Sequence, residues 1–365
     1  MNFATLAMTN DQFPIANDQS LRSNFQFPMT NFLQKNKWAW SLASGVLLAL
    51  AFPPFNLPLM AFVAFVPLLF AFDQATHRSQ LIRSTFLMGV VFFAILAHWL
   101  LFLAKFSPLA FGIYLFCIVF SAAFYGFFGW VMWSIKKRWP AATYAALPFV
   151  WIALESVREW GDLGWTWGQL GYSLAPMPFL NQFADITGHY GISLWVISVN
   201  VLIFLLIKNR SHQILRLKLV IALLALIVVP NFYNVYRWNQ IETGPTLKVA
   251  VIQPDIEQEL KWNPNWEERN FNKLADLSRK AAIMGAQLIV WPEAAIANGD
   301  LSAVRGPESI AALTYVKHPT GSLAVALLAR SLKIPILTGA LLPADAENGD
   351  TLSEHLPWYN FLTTK

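Results

Sequence analysis

Between positions 38 and 232 the chain is a succession of apolar runs separated by short polar or basic stretches. Seven spans stand out, at 38–55, 57–72, 84–104, 109–135, 141–157, 190–207 and 214–232. Several approach the ~20 residues that a helix needs to cross a bilayer. The first two are shorter and predict a tilted pair or a partly re-entrant segment. Beyond Gly244 and Pro245 the pattern changes. Alternation at 247–253 predicts a strand, with Pro254 and Asp255 turning the chain after it. Phe271, Leu274, Leu277, Ala281 and Met284 recur along one face of a helix at 266–284. A strand at Leu288, a helix at 322–332, a strand at 335–341 and an apolar start at 358–362 complete a strand and helix alternation typical of a layered α/β domain. Residues 1–35, rich in Asn, Gln, Ser and Thr, read as a mobile polar tail on the cytoplasmic side. They lack the basic, apolar and small-residue order of a cleavable leader, so the first span is expected to be a retained signal anchor.

Composition agrees with a membrane chain. Of 365 residues, 56% are hydrophobic, 15% aromatic and only 13% charged, too apolar for an ordinary soluble protein. The net charge of +5 does not mark a nucleic-acid binder, because the cations lie between apolar runs, as in membrane topology. Lys35, Lys37, Arg78, Arg83, Lys136, Lys137, Arg138, Lys208, Arg210, Arg216 and Lys218 fall in alternate loops; the opposite loops hold Lys105, Arg158 and Arg237. This asymmetry predicts a cytoplasmic N-terminus and an outward-facing segment after the seventh span. The single cysteine, Cys117, lies inside an apolar run, where it reads as a small buried hydrophobe. No Gly-rich phosphate loop follows either early strand, no paired histidines mark a metal, and no cofactor is implied.

Two stretches carry candidate chemistry. Leu288 to Val290 and Trp291 read as a short buried strand stopped by Pro292, which delivers Glu293 just past its end. A carboxylate at the mouth of a buried strand, under a Trp, is desolvated enough to work as a general base; the alternative is a surface loop glutamate. The second stretch is the outward loop at 158–189, where Gly161, Gly164, Trp165, Trp167, Gly168, Gly171 and Tyr172 crowd together. Glycines let a backbone turn tightly or approach a ligand, and tryptophans half in lipid can grip acyl chains. A re-entrant hairpin packed on the bundle is the other reading, and both stay open here. Glu155 and Glu159, a turn apart where the fifth span ends, are expected to cap or pair.

The strand 249–253 with Pro254 and Asp255, then Leu260-Lys261-Trp262, then Ile289-Val290-Trp291-Pro292-Glu293 after one helix, resembles the first half of a nitrilase-type (carbon-nitrogen hydrolase) domain. Placed behind seven spans, with the Ala51-Phe52-Pro53-Pro54-Phe55 turn and the Trp167-Gly168-Gln169-Leu170-Gly171-Tyr172 loop, it is similar to the bacterial apolipoprotein N-acyltransferases. The resemblance implies a multi-spanning α-helical membrane bundle (36–238) followed by an incomplete α/β nitrilase-like α-β-β-α sandwich domain (245–365). It also implies a monomer of the bacterial inner membrane, with the second domain on the periplasmic side.

In such enzymes a cysteine thiolate takes an acyl chain from a membrane phospholipid as a thioester. It then passes the chain to the α-amine of a diacylglyceryl-cysteine apolipoprotein. The resemblance makes Glu293 the base that removes the thiol proton, Trp262 a wall of the acyl site, and Gly164 and Trp167 membrane-loop positions near its entrance. The lysine that stabilises the oxyanion, the nucleophilic cysteine and an eighth membrane helix would all lie beyond Lys365, and neither Lys365 nor Cys117 matches them. This chain is therefore expected to carry one member of a three-part catalytic set, to be inactive alone, and to leave strand edges and an apolar sheet face uncovered. Rival readings are a non-catalytic module binding acylated ligands, a membrane-tethered amidase, and a transporter, for which the chain lacks an internal repeat.

Overall fold

The computed structural model describes residues 37–105, 107–161, 164–240, 244–293, 295, 321–338 and 361–362; the polar tail at 1–35 lies outside them. The chain divides into two compact units, Met1–Ile241 and Glu242–Lys365.

The first unit is helical. Its long elements are α1 (Lys37–Leu50), α2 (Val66–Asp73), α3 (Arg78–Leu96), α4 (Leu109–Arg138), α5 (Thr143–Val157), α6 (Ala184–Lys208) and α7 (Gln213–Trp238). Among the described residues, five stretches are long and apolar enough to cross a membrane: Arg78–Leu96, Leu109–Arg138, Pro140–Val157, Ala184–Lys208 and Gln213–Trp238. The first two expected spans are shorter apolar helices, Trp38–Leu50 and Pro58–Asp73. Proline explains the shortening. Pro53, Pro54, Pro58 and Pro67 cannot donate to a continuing helix, so the chain turns at 51–57, makes a 3-10 segment at Pro58–Phe62, and restarts at Val66.

This broken backbone needs partners that water cannot supply in lipid. Phe65 N–H donates to the Asn200 carboxamide oxygen (2.9 Å), and Asn200 Nδ2 donates in turn to the Ala61 carbonyl (2.8 Å). Leu68 N–H donates to Ser44 Oγ (2.8 Å). Asn200 and Ser44 are both fully buried. The hydrophobic centre of the unit is the buried Trp151 of α5, met edge-on by Phe65 (4.7 Å between centroids), Tyr125 (5.1 Å) and Phe128 (5.2 Å). Such T-shaped pairs add to the burial of large rings. At the basic end, Lys136 Nζ donates to the carbonyls of Phe72, Asp73 and Ala75, closing the C-terminus of α2. The Asp73 carboxylate accepts from Tyr144 (2.6 Å) and Lys208 (2.5 Å).

The second unit is a small α/β sheet with strands in the order β1 (Val249–Val251), β2 (Leu288–Val290), β3 (Ile336–Leu337) and β4 (Phe361–Leu362). β1, β2 and β3 are parallel, and β4 runs antiparallel to β3. α8 (Glu267–Ile283) crosses from β1 to β2, and α9 (Gly321–Leu332) precedes β3. Each expected element at 247–337 is present, the strands and the 266–284 helix with trimmed ends and the 322–332 helix starting one residue earlier; 339–360, which includes the outer half of the 335–341 strand, lies outside the described residues.

The strands' period of two sorts the sheet into two faces. Ile252, Ile289 and Ile336 are buried against Leu274 and Ala275 of α8 and Val325, Leu328 and Ala329 of α9. On the opposite face, Val249 and Val251 are exposed (45% and 76%), and Leu288, Val290 and Leu337 are half-buried. Among the described residues that apolar face carries no covering layer. One face residue was misassigned from sequence: Met284 lies just past the end of α8 and is exposed, while Ser278 takes part in the buried stripe.

Candidate functional site

The Gly- and Trp-rich loop of the first unit follows the end of α5. Glu155 is fully buried; one carboxylate oxygen accepts from Trp151 Nε1 (3.0 Å) and from the Leu170 N–H (2.7 Å). Three residues on, Arg158 is also buried. Its Nη2 donates to the carbonyls of Trp167 (2.8 Å) and Trp165 (3.3 Å), and its guanidinium lies over the Phe93 ring (5.1 Å). A carboxylate holding an N–H and a guanidinium holding carbonyls, both from one helix end, fix the loop from both sides. Arg158 read from sequence as an outward loop charge; the structure makes it an internal tie. Its position three residues after Glu155 was the available signal.

Glu159 completes the set. It accepts from Gln169 Nε2, and His189 Nε2 lies 3.2 Å from it. Burial pushes its carboxyl up, but the bonds from Gln169, Tyr190 and His189 outweigh this and hold it below the ordinary glutamate range. A depressed folded-state value means that this anchor is in force above the ordinary carboxylate range and is lost as pH falls through the lowered one. The sequence expectation that Glu155 and Glu159 cap or pair corresponds to these contacts.

Gly164 sits between these ties: its N–H donates to the Gly161 carbonyl (2.9 Å), and a Cβ there would meet the Glu159 carbonyl. Trp167 is 46% exposed, its ring tilted against Trp165 (5.2 Å) and Trp99 (5.0 Å). Gly168 follows with φ +76, and a Cβ would come within 2.8 Å of Leu96 and Phe92. The described part of the loop is therefore packed on the helices and leaves Trp167 exposed at its surface. Gly168→Ala combines left-handed strain with a clash. It is expected to lower the thermal midpoint of the reconstituted chain by several degrees, as scored by unfolding in detergent or nanodiscs.

In the second unit the Glu293 neighbourhood differs from expectation. Trp291 is buried (4% exposed) beneath the sheet, its Nε1 donating to Ser278 Oγ (2.9 Å) and its ring edge-on to Phe271 (5.8 Å). Pro292 then turns the chain, and Glu293 is exposed. The Trp does not cover the carboxylate because Ser278 draws it to the helix side. Around this end of the sheet lie Lys261 and Trp262. Lys261 Nζ donates to the Glu293 backbone carbonyl (3.3 Å) and stands 5.2 Å over the Trp262 ring, which is 45% exposed. α8 holds the segment in place: Lys273 donates to the Asp255 carbonyl (3.1 Å), and Asn270 to that of Leu260 (2.9 Å). Lys261, within the Leu260-Lys261-Trp262 motif, is the neighbour that no sequence signal pointed to. Among the described residues no group of three or more His, Cys, Asp or Glu comes together to hold a metal.

The predicted site residues thus fall into two constellations, Gly164 with Trp167 in the helical unit and Trp262 with Glu293 in the α/β unit. The chain thus combines a helical unit with five helices long and apolar enough to cross a membrane and an α/β unit with a carboxylate just past a strand end. Residues 44–202 match the family model of the apolipoprotein N-acyltransferase N-terminal domain. The chain is 29% identical over 335 residues to the apolipoprotein N-acyltransferase of Geobacter metallireducens, covering 90% of this chain and 61% of that protein. It is 31% identical over 267 residues to that of Chlorobaculum tepidum (70% and 48%), and 29% over 265 residues to that of Vibrio cholerae (69% and 49%). The chain is thus similar to the apolipoprotein N-acyltransferases, and over residues 44–202 to their N-terminal domain. It spans about half to three fifths of the length of these relatives.

Proposed function

We propose that this chain serves the transfer of an acyl chain from a membrane phospholipid to the N-terminal amine of a diacylglyceryl-modified apolipoprotein. The match of residues 44–202 to the N-terminal domain of these acyltransferases carries the reading. The loop that presents Trp167 at its surface suits contact with acyl chains at the entrance, and Trp262 suits the wall of the acyl site beside Glu293. Glu293 acts as the base that takes a thiol proton. The thiolate attacks the ester carbonyl of the phospholipid, and the lysophospholipid leaves. The incoming amine then attacks the thioester, forming the amide and releasing the thiol. Cys117, in the middle of α4, takes no part in this chemistry.

The seven apolar segments form the membrane domain at 36–238, with the N-terminus cytoplasmic and the α/β unit periplasmic, as the distribution of cations supports. The α/β unit is one half of a nitrilase-like sandwich. Its bare face at Val249, Val251, Leu288, Val290 and Leu337 favours this, since a sandwich covers such a face with a second sheet. The working protein is a monomer.

The test is binding and turnover in phospholipid vesicles. The chain ending at Lys365 is expected to bind a diacylated lipopeptide at least tenfold more tightly than the same peptide without lipid. Mass spectrometry is expected to show no N-acylated product, with or without Cys117→Ser. Equal binding of both peptides would sink the substrate assignment, and product lost on Cys117→Ser would sink the exclusion of that thiol.

A further inference from the structure

Three charged clusters of the helical unit come into consideration. The Asp73, Lys136, Tyr144 and Lys208 group is internally paired and ties helix ends together. The buried Glu155 and Arg158 belong to the loop already described. The third is different. An open cavity of about 390 Å³ lies between the start of α3 and the end of α4, lined by Arg78, Trp130, Trp133, Ser134, Lys137 and Arg138. Three cations line it and no carboxylate does. Among the described residues none of the three has an acidic partner; the ion pairs there engage other residues. Unneutralised cations converging on a cavity call for an anion.

The surroundings select the kind of anion. Trp130 stacks on Phe127 (5.6 Å between centroids, 24° between planes), and both are exposed. Phe116, Val119, Ala123, Phe127 and Trp130 are all exposed and recur at three- and four-residue spacing, so they form one stripe along α4 that ends at the cavity. From Phe116 to Trp130 the stripe is about 20 Å long at the helical rise, enough for an acyl chain of one leaflet. A free phosphate would use the cations and leave the stripe idle. A phospholipid uses both, with its phosphate among the cations, its interfacial region on the tryptophans, and one chain along the stripe.

We propose that this cavity binds the headgroup of an anionic phospholipid, held as a bound lipid and distinct from the acyl donor near Trp167. On the orientation proposed above, the lipid belongs to the cytoplasmic leaflet. Loss of one cation near an anionic headgroup is worth roughly fivefold in binding.

The experiment uses the full chain purified with added lipids and read by native mass spectrometry. The wild type is expected to retain one phosphatidylglycerol in preference to phosphatidylcholine. The combined variant Arg78→Gln, Lys137→Gln, Arg138→Gln is expected to lose that retention by roughly tenfold or more. A control with the same charge change elsewhere, Arg210→Gln, Arg216→Gln, Lys218→Gln, is expected to keep it. Millimolar inorganic phosphate is expected to displace little of the lipid. Equal retention by the first variant, equal loss in the control, or full displacement by phosphate each overturns the proposal. A photoreactive phosphatidylglycerol supplies a variant-free check: label concentrated in the peptide spanning 127–138 supports the site, and label spread over all the helices refutes it.

Discussion

Replacing Glu293 by glutamine, in a polypeptide that joins this chain to a thiol nucleophile, is expected to slow acyl transfer by about 10²- to 10⁴-fold, the range for loss of a positioned general base. Glutamine preserves the size and the hydrogen-bonding reach of the side chain while removing its capacity to accept a proton. The backbone carbonyl of Glu293, which accepts from Lys261, is untouched by the substitution, so the local turn remains held. The loss is therefore expected in the rate of acyl-enzyme formation from bound phospholipid, with lipopeptide binding unchanged. Single-turnover kinetics with a labelled phospholipid separate the two. A variant acylating within threefold of the parent would remove Glu293 from the mechanism.

The second large effect concerns stability. Glu155→Leu is expected to destabilise the helical unit by about 2–5 kcal/mol, since two buried donors, Trp151 Nε1 and the Leu170 N–H, lose their shared acceptor. Arg158 would keep a buried positive charge without the nearby carboxylate, which deepens the loss. Glu155→Gln keeps an acceptor oxygen and is expected to recover most of the stability. Thermal unfolding of the chain in nanodiscs measures both; a leucine variant as stable as the parent would show that Glu155 does not anchor the loop.

The sequence made much of this legible because the signals were periodic. The runs at 84–104, 109–135, 141–157, 190–207 and 214–232 correspond to the five long helices, since uninterrupted apolar sequence has few other solutions in lipid. The first two runs were harder to read. Hydropathy does not register that Pro53, Pro54, Pro58 and Pro67 break the backbone, and the partners that repair the break, Ser44 and Asn200, lie far off in sequence. Arg158 was misplaced for a related reason: a charge at the end of a span looks like a loop residue until the carbonyls it holds are seen. At the α/β unit the strand and turn that deliver Glu293 were plain from Val290, Trp291 and Pro292. The direction of the Trp291 side chain was not, because it depends on Ser278 of the preceding helix.

Asn200 has a consequence for biogenesis. Its carboxamide completes the hydrogen bonding of Phe65 and Ala61, and it is encoded 135 residues after the first of them. At the usual pace of synthesis, about 5–20 residues per second, the proline-broken segment waits on the order of ten seconds for its missing partner. During that interval its open amide and carbonyl groups must be sheltered by the insertion machinery or held near water. The segment at 58–73 therefore becomes a finished element only when α6 arrives, so the second apolar segment to leave the ribosome is among the last to reach its final state.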